Sequence, residues 1–290
     1  MVVNYEAGSL LVDTVRSLRD DDSAGAVELV VVDNGSSDGS VDALRAAFPD
    51  VSVIAPPGNA GYAAGANLGT HATNAPVVAV CNCDVRVRSG TAGALVQRLE
   101  SESDLGAIGP AIENLDGSRY PSARSVPRLR DAVGHGVFGL IWPRNPFTRR
   151  YRQLDADPDA ARDVDWVSGA AVWLRRRALD EIGGWDERYF MYVEDVDLCW
   201  RLRSAGWRIS FEPAGRVVHV QGASTRLQPH RMVVAHHRSL LRFAAKRWRG
   251  WRRILLLPAA VFLGARAAVI VLSHSLVRRR PRPGDPQATG

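Results

Sequence analysis

The first hundred residues alternate short, purely apolar runs with segments whose apolar residues recur every three to four positions. An apolar run with no alternating polar residue is typical of a strand buried on both faces, and the periodic segments are typical of covering helices. The pattern therefore predicts an α/β fold built on a doubly wound, mostly parallel sheet. The expected strands are residues 2–5, 27–32, 51–54 and 77–81, and the expected helices are residues 9–18, 40–48, 61–71 and 91–100.

The second part of the chain is less regular. Residues 113–161 are rich in proline, arginine and glycine and are expected to form loops with short elements. The later pattern predicts a strand over 166–174, a helix over 195–205, a short strand over 217–220 and helices from 230 to about 276. We expect one globular domain over residues 1–229, with halves of about 1–110 and 111–229, then helices over 230–277 and a disordered tail over 278–290.

The basic residues are concentrated near the end of the chain. From residue 242 onward there are eleven Arg or Lys residues and one acid, whereas the preceding part carries 26 basic and 30 acidic residues. A basic tail on a slightly acidic body indicates an anionic partner for the tail. The tail is apolar between its basic clusters and the body carries no nucleic-acid motif, so no nucleic-acid partner is expected.

Residues 254–272 are mostly apolar and nearly long enough to span a bilayer, which needs about 20 residues. However, Pro258 and Arg266 interrupt this segment, and both of its flanks are basic. A single span would place one basic cluster outside, against the positive-inside rule. We therefore expect helices that lie on an anionic membrane surface, with packing on the globular domain as the alternative.

The cysteines and the start of the chain indicate the cellular compartment. Three cysteines give no disulfide framework, which fits a reducing cytosol, and no Cys/His cluster has zinc-ligand spacing. The start shows no basic region followed by an apolar run, so no signal peptide is expected.

Two polar or glycine-rich clusters follow the predicted strands, where ligands bind in such sheets. Residues 33–40 (DNGSSDGS) offer side chains for a base or ribose, but an ordinary strand-to-helix turn capped by Ser40 fits equally. Glycines at 61, 65 and 69 line one helix face and would admit a nucleotide, although close helix–sheet packing is the favoured interpretation.

Three further features carry ionisable groups. Asp84 follows the fourth strand and would suit Mg²⁺ or Mn²⁺ on a diphosphate, yet one carboxylate needs a partner and an Asx turn is the alternative. Residues 185–197 place five acids among large aromatics, which fits a sugar site with a general base or a helix start that favours acids. His219 follows an apolar pair, where a structural role is the more common one.

In order along the chain, these motifs resemble family 2 glycosyltransferases, which have the GT-A fold. The marks that match lie at residues 2–5, 32–40, 59–67, 82–84, 169–170, 176–177, 183–187, 194–201 and 219, and the match covers about residues 1–225. The resemblance implies an inverting transferase that uses a nucleotide-sugar. It also implies a GT-A catalytic domain over 1–229, with the nucleotide in its first half and the acceptor in its second.

The resemblance assigns roles to matching residues. Asp195 would be the catalytic base. Asp84 would bind Mg²⁺ or Mn²⁺, with His219 as a second ligand. The donor site would comprise Asn4, Asp33, Asn34, Ser36, Asn59, Gly61, Asn67 and Asn82. Two departures stand out: Asn82 replaces the Asp that often begins the metal motif, and Glu6 stands where many relatives have Asn.

A narrower resemblance is carried by residues 120–124 (YPSAR), 142–147 (WPRNPF), 151–153 (YRQ) and 236–239 (HHRS). It points to the actinobacterial rhamnosyltransferases of cell-wall linker synthesis. Their activity implies dTDP-L-rhamnose as donor and the GlcNAc 3-hydroxyl of N-acetylglucosaminyl-diphospho-decaprenol, a polyprenyl-diphospho-GlcNAc lipid, as acceptor in arabinogalactan synthesis. The protein would then sit peripherally on the cytoplasmic side of the cell membrane, as a monomer or a homo-oligomer. Candidate acceptor contacts are Trp185, Asp186, Glu194, Arg124, Arg144 and His236.

Two alternatives stay open from the sequence. One is a family 2 transferase with another donor, such as UDP-galactofuranose. The other is a non-catalytic nucleotide-sugar or polyprenyl-lipid binding protein, against which the presence of Asp84, Asp195 and His219 argues.

Overall fold

The structure is a computed structural model that describes residues 1–127, 129–139, 141–220 and 229–278. Within these ranges the chain divides into two compact units. The first comprises residues 1–190 and 194–220, and the second comprises residues 191–193 and 229–278. The domain boundaries expected at 110 and 229 remain predictions, and residues 279–290 of the expected disordered tail lie outside the described part.

The first half of unit 1 has the predicted alternation. Its parallel strands run in the order β3-β2-β1-β4 and are β1 (Val2–Asn4), β2 (Val30–Asp33), β3 (Ser52–Ile54) and β4 (Val77–Asn82). The connecting helices are α1 (Leu10–Asp20), α2 (Ser40–Ala47) and α3 (Tyr62–His71). Strand β2 shows why the apolar runs were informative: Val30 and Val32 enter the core on one face, while Val31 enters the core on the other.

The second half continues the same sheet with mixed strand directions. The strand order goes on as β11-β6-β12-β5, with β11 antiparallel to both neighbours and β6 parallel to β12. Its first elements are β5 (Val85–Val87), α4 (Thr91–Ser101), β6 (Leu105–Glu113), β7 (Arg119–Tyr120), β8 (Ala123–Arg124), α5 (Leu129–Phe138) and α6 (Pro146–Tyr151). They are followed by β9 (Arg162–Asp163), β10 (Trp166–Val167), β11 (Ala171–Arg175), α7 (Arg176–Glu181), α8 (Glu194–Ser204) and β12 (Arg208–His219).

Three expectations for this half need correction. The strand expected over 166–174 is two strands in different sheets, because the chain turns at residues 168–170 and only β11 joins the main sheet, while β10 pairs with β8. The strand expected over 217–220 is the end of the twelve-residue β12. The region 113–161 contains the ten-residue α5 rather than short elements alone.

Strand β6 was not predicted because glycines weaken its apolar pattern. Their role is close packing: a Cβ at Gly106 would lie 2.8 Å from the Cβ of Trp207, and one at Gly109 would lie 2.6 Å from the Cβ of Val167. Such contacts are shorter than a side chain tolerates, so glycine is required at both positions by the side chains that pack on β6.

A buried ion pair attaches α8 to the loop before it. Asp197 is fully buried and accepts hydrogen bonds from Arg201 Nε at 2.7 Å and from the Tyr189 hydroxyl at 3.2 Å. Arg201 also donates to the carbonyls of Ile182 and Gly184, at 2.9 and 2.6 Å. Because each partner has further hydrogen bonds, the pair fixes the course of residues 182–189.

Unit 2 is helical, as predicted. It contains α9 (Pro229–Arg247), a 3₁₀ segment (Gly250–Leu255) and α10 (Leu256–Arg278). The stretch Gly250–Ser273 contains an 18-residue window with a mean hydropathy of 2.3 and, by length and composition, is one candidate for crossing a membrane within the described residues. All three cysteines lie in the described part of unit 1; they are buried and none forms a disulfide.

Candidate active site

The carboxyl end of β2 carries a polar cluster centred on Asp33, which is 5% exposed. Its carboxylate accepts hydrogen bonds from Asn4 Nδ2 at 2.8 Å and from the Ser36 hydroxyl at 2.6 Å. Asn4 also donates to the hydroxyls of Ser36 and Ser40, each at 3.1 Å, and its buried Oδ1 has no hydrogen-bond partner among the described residues. The cluster therefore combines pre-oriented side chains with an unused acceptor at the end of a parallel strand.

The turn before α3 is tied to the same sheet edge. Asn34 Nδ2 donates to the Gly61 carbonyl at 3.1 Å, and Asn59 Oδ1 accepts from the Gly61 N–H at 2.9 Å. Gly61 has a φ of 95°, and a Cβ there would lie 2.4 Å from the Phe190 carbonyl oxygen. A side chain at this position would thus be strained and would displace the Phe190 backbone.

The other two glycines of this motif pack against the sheet. A Cβ at Gly65 would lie 3.0 Å from Val3, and one at Gly69 would lie 3.1 Å from Val32 and closer still to Met1. Close helix–sheet packing, which the sequence favoured, is therefore their role.

Asn67 holds the loop before α8 in place. Its Oδ1 accepts from the Trp185 N–H at 2.8 Å, and its Nδ2 donates to the Trp185 carbonyl at 3.0 Å and to Glu187 at 2.8 Å. Trp185 is 2% exposed and packs edge-on against Tyr62, with ring centroids 5.8 Å apart. Both amide functions of Asn67 are thus used by the loop, and the Trp185 side chain lies in the core.

The ends of β4 and β12 bring two sequence-distant candidates together. His219 Nε2 lies 3.1 Å from Asp84 Oδ1 and 3.4 Å from Asn82 Nδ2, and both Asp84 and His219 are largely shielded from solvent. The antiparallel pairing of β12 with β5 places His219 opposite Val85, directly after Asp84. The buried Nδ1 of His219 has no hydrogen-bond partner among the described residues.

These groups fit a divalent cation. A carboxylate oxygen and an imidazole nitrogen converge on one point, and both are ligands that Mn²⁺ accepts. No group of three or more His, Cys, Asp or Glu side chains in the described ranges is placed so that it could hold a metal ion by itself. A cation held by Asp84 and His219 would therefore need further oxygen ligands from a bound diphosphate or water.

Asp195 stands at the start of α8. Its Oδ2 accepts from the Gly169 N–H at 2.9 Å and its Oδ1 from the Val196 N–H at 2.8 Å. Burial raises the pKa of Asp195 above its ordinary value, and the two N–H donors oppose this shift. Burial and the Asp195 charge likewise raise the pKa of Glu194, whose Oε2 is buried without a hydrogen-bond partner among the described residues.

Gly169 connects Asp195 to the rest of the cluster. Its carbonyl accepts from the Tyr62 hydroxyl at 2.6 Å, and the next residue, Ala170, accepts at its carbonyl from the Asn82 N–H at 2.9 Å. A Cβ at Gly169 would lie 3.1 Å from the Cβ of Asp195. Three motifs that are far apart in sequence therefore meet at this turn.

Arg124 lies near both Asp195 and the pair formed by Asp84 and His219. It donates from Nη2 to the Tyr120 hydroxyl at 2.8 Å, and the Tyr120 ring packs edge-on against His219, with centroids 6.4 Å apart. Its positive charge also lowers the pKa of Asp195, against the dominant effect of burial. Arg124 thus lies near both Asp195 and His219, and its role as an acceptor contact stays a prediction.

The other acceptor candidates are not all brought to this cluster. Asp186 is bound by the Arg188 guanidinium, with a shortest separation of 2.6 Å. Arg144 is exposed on the turn before α6, and no contact in the described ranges joins it to Asp195. His236 belongs to unit 2, where its ring packs edge-on against Tyr192 at 5.3 Å.

Sequence reasoning missed the unusual backbone conformation that precedes Glu194 and Asp195. Tyr192 and Val193 have φ values of 66° and 71°. A positive φ is unusual for a β-branched residue and is typical of functional sites, where surrounding structure maintains the strain. The pair of large residues before Glu194 gives no local signal of this conformation.

A half-sheet of parallel strands followed by mixed strands, with carboxylates and a histidine at the strand ends, is the architecture of A-type glycosyltransferases. The sequence profile described as "Glycosyltransferase like family 2" matches residues 1–238. The chain belongs to glycosyltransferase family 2 and is a glycosyltransferase of the GT-A fold.

Relatives and solved structures agree with this assignment. The chain is 39% identical over 263 residues to the N-acetylglucosaminyl-diphospho-decaprenol L-rhamnosyltransferase of Mycobacterium tuberculosis, covering 87% of this chain and 84% of that protein. It is 34% identical to rhamnosyltransferase WbbL of Escherichia coli K12 over 126 residues, 43% of this chain and 45% of that protein. The mannosyltransferase PcManGT of Pyrobaculum calidifontis, solved with GDP-Man and Mn²⁺, superimposes with a TM-score of 0.58 at 16% identity, covering 96% and 79% of the two chains.

The raised pKa of Asp195 predicts a pH-dependent gain in stability for Asp195→Asn. The folded protein retains the Asp195 proton to a higher pH than the unfolded chain does. The wild-type protein therefore loses stability as pH rises above about 3.9, the ordinary pKa of Asp. Asn does not titrate, so the variant does not lose stability in this way. We expect its Tm to exceed that of the wild type at pH 8 and the difference to shrink toward pH 4.

Thermal unfolding across this pH range measures the effect, with Asp180→Asn, a change at an exposed residue of α7, as the control. A Tm for Asp195→Asn that is below the wild-type value at pH 8 would contradict the assigned cost of the buried charge.

Proposed function

We propose that this glycosyltransferase transfers L-rhamnose from dTDP-L-rhamnose to the 3-hydroxyl of GlcNAc in a polyprenyl-diphospho-GlcNAc lipid, with inversion, in cell-wall synthesis. The observation that carries the proposal is the 39% identity, over most of both chains, to a protein named for this acceptor and this sugar. The decaprenyl lipid and the place in arabinogalactan linkage-unit synthesis follow from that likeness.

The donor nucleotide is assigned to the carboxyl end of the parallel strands. Asp33, held by Asn4 and Ser36, would accept a hydrogen bond from the nucleobase of the donor. The unpartnered Oδ1 atoms of Asn4 and Asn34 provide additional acceptors. Asn67 would support the donor site indirectly, because its side-chain amide fixes the Trp185 backbone.

Asp84 and His219, with Asn82 beside them, would hold a divalent cation against the donor diphosphate. When bound, Mg²⁺ or Mn²⁺ supplies Lewis-acid stabilisation of the negative charge on the departing nucleotide. The unpartnered Nδ1 of His219 leaves that ring free to adopt the tautomer in which Nε2 is a ligand.

Asp195 is the proposed catalytic base. It takes the proton from the acceptor hydroxyl as that oxygen attacks the anomeric carbon and the bond to the nucleotide breaks. Two N–H donors orient the carboxylate, and burial raises its pKa, which strengthens it as a base. The Gly169 turn fixes its position relative to Asn82, and therefore relative to the donor.

The direct test is mass spectrometry of a polyprenyl-diphospho-GlcNAc acceptor after incubation with the purified protein and dTDP-L-rhamnose. Parallel reactions contain Mg²⁺, Mn²⁺ or EDTA. We expect a product heavier by one deoxyhexose that requires the divalent metal. Transfer only from another donor, such as UDP-galactofuranose, would replace the proposed donor. An acceptor that no donor modifies would favour a binding protein.

Asp195→Asn is expected to lower kcat by about 10²–10⁴-fold, the usual contribution of general-base catalysis. The affinity for dTDP should stay within about twofold of wild type, because Asp195 lies with the acceptor and not with the nucleotide. Initial rates and dTDP titration calorimetry measure both quantities, with Asp180→Asn as the control. A parallel loss of dTDP affinity would indicate that Asp195 has a structural role instead.

We further propose that α9 and α10 hold the enzyme peripherally on the cytoplasmic face of the membrane. Within unit 2, α10 and the 3₁₀ segment expose large apolar side chains, including Trp251, Ile254 and Leu257, each about three-quarters exposed. The flanking cations Arg252 and Arg253 are exposed as well. Arg266, in the middle of α10, donates to His237 of α9 at 2.9 Å, so its charge is directed to a polar partner.

This arrangement predicts salt-sensitive binding to anionic vesicles. Because each basic residue near an anionic surface contributes about 1 kcal/mol, Arg252→Gln with Arg253→Gln should weaken vesicle binding by about 30-fold. The control is Arg45→Gln with Arg177→Gln, which removes two exposed charges from unit 1. Co-sedimentation of the full chain measures both. Equal weakening in the two double variants, or no binding by wild type, would contradict the proposal.

A further inference from the structure

Arg124 lies in an aromatic cluster inside unit 1. Its guanidinium carbon is 4.9 Å from the centroid of the Trp166 ring, 5.2 Å from that of Tyr120 and 5.7 Å from that of Tyr151. Nε donates to the Pro121 carbonyl at 2.7 Å. The aromatic faces stabilise the cation and fix its orientation, but they do not neutralise its charge.

A second arginine lies close to the first. Arg152 follows Tyr151, whose hydroxyl is 3.5 Å from Arg124 Nη1 and whose ring centroid is 5.7 Å from the Arg124 guanidinium carbon. Arg152 is half-buried at the end of α6, and its buried Nε has no hydrogen-bond partner among the described residues. No ion pair in the described ranges joins either Arg124 or Arg152 to a carboxylate. Burial and repulsion from Arg124 both lower the pKa of Arg152.

Two neighbouring guanidinium groups without a paired anion are costly in the absence of a ligand. The cost is removed by a ligand that carries at least two negative charges and several acceptor oxygens. Guanidinium groups bind phosphate oxygens in this way, through paired N–H donors. The chemistry of the ligand is therefore that of a diphosphate.

The position of the pair indicates which diphosphate it would bind. Arg124 is close enough to Asp195 to lower the pKa of that carboxyl, and it bonds to Tyr120, whose ring contacts His219. The donor diphosphate already has an assigned site at Asp84 and His219. The acceptor carries its diphosphate on the same sugar as the hydroxyl that Asp195 would deprotonate.

We propose that Arg124 and Arg152 form the binding site for the diphosphate of the acceptor lipid. This rests on the proposed function, since it takes Asp195 as the base and a diphospho-sugar as the acceptor. Arg124 is the fixed member, held by aromatic rings. Arg152 is the member with an unused donor, and its charge is satisfied only when the acceptor is bound.

The test compares Arg152→Gln with Arg177→Gln, which removes an exposed guanidinium on α7. Calorimetry measures binding of three probes: a short-chain polyprenyl-diphospho-GlcNAc, an alkyl N-acetylglucosaminide without diphosphate, and dTDP with Mn²⁺. Hydrogen bonds to charged groups are strong enough that we expect Arg152→Gln to weaken the diphospho probe by about 10- to 100-fold. The other two probes and all results for Arg177→Gln should match wild type. Arg152→Lys, which keeps the charge but loses the paired donors, should fall between.

The outcomes separate the two diphosphates. Weaker dTDP binding with unchanged binding of the diphospho-GlcNAc probe would assign the arginines to the donor and overturn the proposal. Unchanged binding of both would overturn it as well. The proposed function is tested separately: it fails if mass spectrometry shows no rhamnose transfer by the wild-type protein. The calorimetric comparison measures binding alone and does not require turnover.

Thermal unfolding distinguishes a binding role from a structural one. Because Arg152 is repelled by Arg124 and leaves Nε unpartnered, Arg152→Gln should unfold at the wild-type Tm or above. A lowered Tm, together with weaker binding of all three probes, would show that Arg152 supports the fold and would overturn the proposal.

Discussion

The hydrogen bond from the Gly169 N–H to the Asp195 carboxylate is the contact on which the arrangement of the site depends. It links the loop before β11 to the start of α8, and the carbonyl of the same glycine accepts from Tyr62 at the start of α3. The neighbouring Ala170 accepts from Asn82 at the end of β4. One turn therefore joins the proposed base to Tyr62 and to Asn82, beside the proposed cation ligands, and the lack of a side chain at Gly169 leaves room for Asp195.

The charges of the site are arranged at a cost to the free protein. Glu194 is buried beside the half-buried Asp195, Arg152 is repelled by Arg124, and His219 Nδ1 lacks a partner among the described residues. Two other buried carboxylates of unit 1 have donors: Asp197 is paired with Arg201, and Asp21 accepts hydrogen bonds from the Gly90 and Ala92 N–H groups. Uncompensated groups that cluster at one place are typical of a site whose ligands complete the missing interactions.

Much of the first half was predictable because its signals are local. Strand β2 is apolar throughout and α1 has a regular helical period, so neighbouring residues alone indicate their structure. In the second half, β6 was missed and 166–174 was taken as one strand, because Gly106, Gly109 and the turn at Gly169 have meaning only through the residues they contact.

The sequence alone determined the fold class, the glycosyltransferase family and the identities of Asp33, Asp84, Asp195 and His219 as candidates, since ordered motifs and local periodicity carry that information. Only the tertiary structure decided which of them meet: the pairing of β12 with β5 brings His219 to Asp84 across 135 positions. It also bound Asn67 of α3 to the Trp185 backbone in the loop before α8 and placed Arg152 close to Arg124. These outcomes depend on strand register and burial, which a pattern of neighbouring residues does not encode.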